Sequence, residues 1–301
     1  DFTGIEENSF DLVFFHGVVQ YFPSLSYVLK VIEGAVKAVR NGGCIYIGEP
    51  ETFSAITMHF YHDQLAITND DVSVADFKKI SDFRIRKEEE ISIDIDFFYF
   101  LPSILPDIKA VDVQIRGGDY ANEATKCHYD VWLYVGSNIP EVVEPQLSFK
   151  FERNKDLSWI EQSLIENKGK VVEFTTIPNR RVSKDVALMQ MVEKAEAKTT
   201  VRGLKEQLSH TPVTGINPTD LWELGESLGY KTHVRWPANG GDGNVEVVFI
   251  PAVYGNVIPS KPQQLEIRSA KEYGLENDNE VNVIDIPEHQ LQLLKNELKN
   301  V

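Results

Sequence analysis

Cysteine, long apolar runs and positive charge are all scarce in this chain. Its 301 residues include 2 cysteines, Cys44 and Cys127, so no disulfide framework is expected. No apolar run approaches the roughly 18 residues that a membrane-spanning helix needs. The net charge is −16, with 30 Lys and Arg against 46 Asp and Glu. We therefore expect neither a disulfide-stabilised secreted domain, nor a membrane protein, nor a nucleic-acid-binding surface.

The N-terminal residues 1–4 (DFTG) contain no basic region followed by an apolar one, so they do not predict a signal peptide. They also lack an initiator Met, and we expect that residues precede them in the parent protein. Hydrophobic residues make up 42% and charged residues 25% of the chain, as in soluble globular proteins. A cytoplasmic protein with one large domain or two ordinary ones is the prediction.

The first part of the chain has the pattern of a strand–helix–strand unit. Residues 10–17 are almost continuously apolar, which predicts a strand buried on both faces. Residues 24–40 have helical spacing, with Ser24 as N-cap and Gly42–Gly43 as the stop signal. Residues 44–48 predict a second buried strand. Short connections make the two strands parallel, with a right-handed crossover.

The pattern continues with predicted helix over 53–90 and two further strands. Residues 109–116 alternate apolar and polar side chains, which predicts a strand with one wet face. Residues 129–136 predict another strand. Together these elements form a predicted first domain, residues 1–139.

Prolines near 140–145 predict a linker, followed by an α+β unit over 146–252. The predicted tail, 253–301, contains a short helix at 288–299. Within the α+β unit, helices are predicted at 156–167, 184–197, 201–209 and 218–228. The same unit has a predicted strand at 170–176 and a predicted hairpin formed by 230–236 and 244–250, with its turn at 238–243.

Two segments carry a specific family resemblance. Residues 17–24 (GVVQYFPS) resemble the SVVQYFPS segment of the methyltransferase domains embedded in nonribosomal peptide synthetases, with Gly17 where Ser is usual. Residues 40–49 (RNGGCIYIGE) resemble the KPGGxIFIGD strand of that family, with Glu49 where Asp is usual.

Further blocks follow in the family's order, up to about residue 250. They are Met58-His59, the block Ile93-Asp94 to Leu101-Pro102, residues 116–131 (RGGDYANEATKCHYDV), residues 177–180 (IPNR), residues 221–226 (LWELGE), Gly229-Tyr230 and Trp236.

The resemblance implies an α/β fold: the later strands of a Rossmann-like class I methyltransferase sheet, followed by the smaller α+β unit. It implies S-adenosyl-L-methionine as cofactor. The implied substrate is an aminoacyl group on the phosphopantetheine arm of a carrier protein, whose amino nitrogen is methylated. Adenylation and carrier domains of the parent synthetase are the implied neighbours.

The family's glycine-rich cofactor loop is missing, as is the acidic residue that binds the ribose. The resemblance places both ahead of Asp1, so we expect the chain to be a fragment truncated at its N-terminus. The glycine-rich stretch 240–243 belongs to a predicted hairpin rather than to a strand-to-helix turn, and does not fit that loop.

Candidate site residues follow from topology and from the family motifs. Ligands in this fold class bind at the carboxyl ends of the strands, where Gln20, Tyr21 and Glu49 are expected. The alternatives are a helix cap for Gln20, core packing for Tyr21 and a solvated carboxylate for Glu49. We predict catalytic roles for Gln20, Tyr21, His59 and Glu123, substrate contacts for Glu49 and Asn122, and cofactor contacts for Asp1, Phe2, His16, Gly17 and Val18.

Other roles remain open for three of these residues: helix surface or core for His59, and ordinary loop polarity for Asn122 and Glu123. His59 and His62 lie one helical turn apart beside Asp63, but the sequence offers no third ligand, so no metal site is predicted. The rival functions are carbon or oxygen methylation, or an inactive remnant that serves as an interaction module.

Overall fold

The computed structural model describes residues 2–152, 154–196, 198–237, 243–263, 265–269 and 273. Asp1–Arg268 form one compact unit. Of the second unit, Ser269–Val301, it describes only Ser269 and Tyr273, joined by a backbone hydrogen bond of 3.2 Å. The predicted helix at 288–299, most of the predicted turn at 238–243 and the proposed cofactor residue Asp1 lie outside the described residues.

The elements alternate between strands and helices along the chain. The strands are β1 (Phe10–His16), β2 (Val39–Glu51), β3 (Ile108–Ile115), β4 (His128–Val135), β5 (Glu141–Val143), β6 (Leu147–Lys150), β7 (Val172–Pro178), β8 (Tyr230–Arg235), β9 (Asn244–Pro251) and β10 (Val257–Pro259). The α-helices are α1 (Leu25–Ala38), α2 (Phe53–Ile67), α3 (Val74–Arg86), α4 (Ile95–Ile104), α5 (Glu123–Cys127), α6 (Leu157–Glu166), α7 (Ser183–Lys194), α8 (Val201–His210) and α9 (Pro218–Ser227). No helix in the described part of the chain has the length and apolar character needed to cross a bilayer.

Two four-stranded sheets organise these elements. The first has the order β1-β2-β4-β3, in which β1 and β2 are parallel neighbours, as predicted, and the other pairs are antiparallel. The second has the order β6-β7-β9-β8, and its β8–β9 pair is the predicted hairpin. The predicted α/β class is confirmed. The predicted division of the chain at residues 139 and 252 stays a prediction.

β1 is not buried on both faces, and that part of the prediction is wrong. Phe10, Leu12 and Phe14 are 45%, 45% and 59% exposed. β1 is the end strand of its sheet, so only one of its edges is paired within the described residues. Continuous apolarity indicates that a strand prefers burial, but it cannot show whether the covering layer is present.

Gly42 and Gly43 do not stop α1, contrary to the prediction. Ser24 caps the start of α1 as predicted, by accepting a hydrogen bond from the Tyr27 amide at 3.2 Å. The helix ends at Ala38, and both glycines lie in β2. A Cβ on Gly43 would approach the Asp11 carbonyl oxygen to 2.6 Å. This glycine therefore allows β1 and β2 to lie close together at an irregularity in their pairing.

The region 53–90 forms two helices rather than one. α2 ends before Thr68, which has extended backbone, and Ser73 caps α3 through the Asp76 amide at 3.1 Å. α4 was not predicted. The apolar faces of α2 and α3 pack against α7 and α8 around Tyr61, Phe77, Leu188 and Leu204, so helices from both parts of the chain share one core.

The second sheet contacts the first through β3. The predicted wet face of residues 109–116 is wrong, because β8 packs against β3 and buries Asp112. The Asp112 carboxylate lies 3.3 Å from His233 Nδ1 on β8. The stretch predicted as a linker contains β5, which pairs in parallel with β10. The remaining predicted elements of this part appear within about three residues of their expected bounds.

Candidate functional site

The candidate site lies where β1 and β2 end on the same side of their sheet. After β1 the chain turns at Gly17, whose amide donates to the Gly48 carbonyl at 3.1 Å, and enters a short 3-10 helix, Val19–Tyr21. β2 runs three residues beyond Gly48 to Glu51, opposite His128 of β4. Because β1 and β2 are parallel, their carboxyl ends lie at the same end of the sheet.

Glu49 is the centre of the first group of side chains. Arg116 donates a hydrogen bond to Glu49 Oε1, and His16 Nδ1 lies 3.6 Å from Glu49 Oε2. Glu49 has a φ of 71°, which a non-glycine residue adopts only at some cost. A Cβ on Gly17 would lie 2.8 Å from Glu49 Oε2. The absence of a side chain at Gly17 therefore makes room for this carboxylate.

The second group joins residues from α2, α5, β2 and β4. His59 Nε2 lies 3.6 Å from Glu123 Oε2, and His128 Nε2 lies 3.7 Å from Glu123 Oε1. His128 Nε2 also lies 3.7 Å from Glu51 Oε2. Glu51 and His128 are 2% and 8% exposed, whereas the Glu123 side chain is 53% exposed. The four side chains, called the His59–Glu51 cluster below, are His59, Glu123, His128 and Glu51.

Burial controls the protonation of this cluster. It raises the pKa of Glu51 to about 7; the Ser92 hydroxyl opposes that shift, and nearby carboxylates such as Glu90 add to it. Burial also lowers the pKa of His128, although the charge of Glu123 acts in the opposite direction. Near neutral pH His128 is therefore a neutral imidazole, and Glu51 holds its proton part of the time.

The cluster has unused hydrogen-bonding capacity. Neither ring nitrogen of His128 has a hydrogen-bond partner among the described residues, and the same is true of His59 Nδ1. The separations of 3.6–3.7 Å are too long for direct hydrogen bonds. Buried polar groups normally find partners. The cluster therefore has the character of a site for a polar ligand.

One donor atom each from Glu51, Glu123 and His128 lies within 4.8 Å of the others, a mixed set that divalent metals accept. The prediction that no metal is bound stays a prediction. His62, which the sequence paired with His59, has a different partner, since its Nδ1 lies 2.6 Å from Asp185 Oδ1.

All four predicted catalytic residues belong to this end of the sheet, in different ways. His59 and Glu123 are brought together by the cluster. Gln20 is buried, and its Oε1 has no partner in the described part of the chain. Tyr21 is exposed, and a hydrogen bond to Glu90 raises the pKa of its hydroxyl.

Three other predicted site residues, Asn122, Val18 and Phe2, lie outside the two groups of side chains just described. Asn122 caps α5, since its Oδ1 accepts from the Thr125 amide at 3.2 Å. Val18 is exposed beside Gly17. The Phe2 ring packs closely against Gly34 of α1.

Sequence reasoning missed Glu51 and His128. Glu51 follows Glu49 by two residues on β2, but Glu49 has a φ of 71° and the pairing with β4 is irregular between Gly48 and Glu51, which interrupts the alternation of faces. The spacing therefore gave no dependable signal for Glu51. His128 gave none, because its position opposite Glu51 depends on the register between β2 and β4.

Comparison with known proteins shows similarity to peptide synthetases over most of the chain. The Chondramide synthase cmdD of Chondromyces crocatus is 29% identical over 258 residues, which is 83% of this chain and 6% of the relative. The Bassianolide nonribosomal cyclodepsipeptide synthetase of Beauveria bassiana is 23% identical over 299 residues, 89% of this chain and 9% of the relative. The nonribosomal peptide synthetase dtxS1 of Metarhizium robertsii is 23% identical over 252 residues, 80% of this chain and 3% of the relative.

No protein-family model matches the chain. The chain spans less than a tenth of the length of each of these three relatives, which are 6%, 9% and 3% covered. The similarity nevertheless extends over four fifths or more of this chain in each case, since 83%, 89% and 80% of it is matched. These relationships support the origin of this domain in a nonribosomal peptide synthetase.

Proposed function

We propose that this chain forms part of an S-adenosylmethionine-dependent methyltransferase that methylates the amino nitrogen of an aminoacyl group tethered to a carrier protein. The observation that carries the proposal is the His59–Glu51 cluster at the end of β2. Its carboxylates form no ion pair with Lys or Arg within the described residues. Such a site favours a cationic or amine ligand. The similarity to peptide synthetases supplies the setting.

The edge of the sheet also suits a positively charged methyl donor. When bound, S-adenosylmethionine supplies an electrophilic methyl group on a sulfonium. Glu49 and the cluster make this edge acidic, and Gly17 presents backbone without a side chain beside Glu49. We propose that His16, Gly17 and Val18 contact the methyl donor. The outer edge of β1 pairs with no strand of the described residues, which leaves room there for further strands of a Rossmann-like sheet.

The cluster can bind and deprotonate the acceptor. An α-amino group has a pKa of about 7.7–8.0, so ammonium and free amine coexist near neutral pH. Half-exposed Glu123 accepts a hydrogen bond from the incoming ammonium, and neutral His128 takes one proton through Nε2. Glu51 then stabilises the imidazolium from 3.7 Å. With S-adenosylmethionine held beside His16, Gly17 and Val18, the freed lone pair would take the methyl group as the S–C bond breaks. S-adenosylhomocysteine would then leave, and the methylated ammonium would release its extra proton to water.

Two alternatives use the same framework. Carbon or oxygen methylation would need a stronger base than an amine acceptor requires, and the buried carboxyl of Glu51 beside His128 gives some support for it. An inactive interaction module would use the exposed apolar side of β1. Nitrogen methylation explains the half-exposed Glu123 best, since a carboxylate at the rim can capture an ammonium ion.

The test is methyl transfer by the full-length gene product that contains this chain. It is incubated with labelled S-adenosylmethionine and aminoacyl-loaded carrier protein, and mass spectrometry locates the methyl group. Calorimetric titration with S-adenosylmethionine is run in parallel. We expect methylation of the amino nitrogen, with Glu123→Gln lowering kcat by about 100-fold.

Glu161→Gln is the matched control, because Glu161 is an exposed carboxylate on α6 and makes no ion pair among the described residues. It should leave kcat unchanged. Methylation on carbon or oxygen would favour the rival chemistry. Absence of both donor binding and transfer would favour the interaction module.

A further inference from the structure

Arg181 connects the second part of the chain to the loop that carries Glu123. It lies in a 3-10 helix, Arg180–Val182, directly after β7, and is 6% exposed. Its guanidinium donates to the carbonyl oxygens of Arg116 at 2.7 Å, Gly118 at 2.6 Å and Thr125 at 3.3 Å. All three acceptors belong to the segment 116–127, which joins β3 to β4 through α5.

The chemistry of this contact is unusual for a structural arginine. No carboxylate lies within ion-pair distance of Arg181 among the described residues, and its other contacts are the Thr219 hydroxyl at 3.3 Å and the Trp222 ring at 5.6 Å. Burial lowers the pKa of Arg181 to about 10, with Asp119 opposing the shift, so the side chain stays charged at neutral pH. A buried charge without a counter-ion is costly, and an apolar side chain would fill the space at less cost.

A second contact from the same junction holds the other end of the segment. Lys126 Nζ lies 2.8 Å from Asp185 Oδ2, and the Asp185 side chain is 1% exposed. Arg181 and Asp185 thus hold the residues on both sides of Glu123. α5 has 5 residues, too few to be a stable helix by itself. The position of Glu123 therefore depends on contacts from outside the segment.

The segment 116–127 contributes side chains both to the group around Glu49 and to the His59–Glu51 cluster. Arg116 accepts from Arg181 through its carbonyl and donates to Glu49 through its side chain. Glu123 reaches His59 and His128 from the same segment. One buried guanidinium therefore supports both Arg116, which holds Glu49, and the segment that carries Glu123.

We propose that Arg181 is a positioning residue, which fixes the segment 116–127 so that Glu123 faces His59 and His128. This inference rests on the proposed function for its catalytic meaning. It assigns the α+β unit a direct role in the site, through a residue that touches neither substrate nor cofactor.

The first test measures geometry without requiring activity. Glu123 holds the pKa of His128 above the value that burial alone would give. We expect Arg181→Met to lower the His128 pKa measured by NMR titration, because Glu123 moves away. In the Glu123→Gln background, Arg181→Met should cause no further shift. The charged or titratable groups that act on His128 are Glu51, Glu123, Glu49, Arg116 and Glu90.

The matched control is Arg180→Met, since Arg180 is the exposed neighbour of Arg181. It should leave the His128 pKa unchanged. Where Arg181→Met does not fold, Thr219→Val removes one partner of the guanidinium and a second hydrogen bond to Gly118, and should lower the His128 pKa by less. An unchanged His128 pKa in the folded variant, or an equal shift in the Glu123→Gln background, overturns the proposal.

The second test uses turnover. In the full-length gene product we expect Arg181→Met to lower kcat for methyl transfer at least tenfold, with the Kd for S-adenosylmethionine within about twofold of wild type. A normal kcat beside a shifted His128 pKa overturns the positioning role. A wild-type protein without methyl transfer overturns the proposed function instead, and the NMR titration still decides whether Arg181 positions Glu123.

Discussion

Glu51 has a carboxyl group in surroundings that favour its neutral form. Its side chain is almost fully buried at the end of β2, and the charged groups that act on it are other carboxylates. Burial of an ionisable group without a cation nearby opposes ionisation. A residue of this kind lowers the stability of the folded chain at neutral pH, and such residues concentrate at functional sites.

We predict that Glu51→Gln stabilises the protein at alkaline pH. The folded pKa of about 7 lies above the usual 4.5, so the folded state holds its proton longer than the unfolded state does. Wild-type stability therefore falls as pH rises from 4.5 to 7. Above pH 7 the variant should gain up to about 3 kcal/mol in the free energy of unfolding. Urea titrations at pH 4 and pH 8 measure this, and equal gains at both pH values would contradict it.

Gly17 and Glu49 share one space, in which a longer side chain at one position requires a shorter one at the other. Gly17 has a φ of 63°, and a Cβ there would meet Glu49 Oε2. The motif segments that residues 17–24 and 40–49 resemble have Ser and Asp at these two positions.

We predict that Gly17→Ser lowers stability by more than the roughly 1–2 kcal/mol that a left-handed backbone costs a side chain. Gly169→Ser is the control, since Gly169 has a φ of 85° and open space where its Cβ would lie. Adding Glu49→Asp to Gly17→Ser should recover the difference between the two, because the shorter carboxylate withdraws. Denaturant unfolding measures the stability of all of these variants. If the double variant recovers no stability, the side chains at positions 17 and 49 do not compete for the same space.

At the scale of the element, β1 has one edge that pairs with no strand of the described residues, and an exposed apolar face. Phe10, Leu12 and Phe14 alternate with residues of the other face, and Phe14 stacks on Tyr46 of β2. An exposed apolar edge strand promotes association with other strands. The same feature suits a sheet that continues beyond β1.

We predict that the 301-residue chain self-associates and that Leu12→Lys weakens this. The lysine places a charge on the exposed face of the edge strand. Light scattering over a range of concentrations should show a lower mean mass for the variant. Val253→Lys is the control, since Val253 is 88% exposed and lies outside β1. Equal association of all three proteins would show that β1 does not mediate it.

At the scale of the whole molecule, the two four-stranded sheets pack against each other through β3 and β8. Asp112 on β3 and His233 on β8 meet in the buried contact between the sheets, 121 residues apart in sequence. Helices from both parts pack around Phe77 and Leu188. Arg181 adds a third connection, to the loop of the site. The second sheet and its neighbouring helices thus contact both the sheet and the loop that carry the candidate site.

The sequence by itself determined many of the elements and two strand pairings, β1 with β2 and β8 with β9. Periodicity and capping residues predicted α1, α6, α7, α8 and α9 closely, because these signals are local. The short strand–helix–strand connection predicted the parallel pairing of β1 with β2, and this pairing in turn predicted the edge at which Glu49 lies. His59 and Glu123 were selected through family motifs, and the structure places them 3.6 Å apart.

Tertiary structure alone decided which polar residues are buried and what they face. Glu51 meets His128 through strand register, Asp112 is covered by another sheet, and Arg181 reaches a loop that precedes it by 56 residues or more. Exposure of β1 likewise depends on which layer covers it. Local sequence records the preference of a segment for burial or for a helix. The partner that satisfies that preference is fixed only when distant segments pack, because desolvation and pKa depend on every group that surrounds the residue.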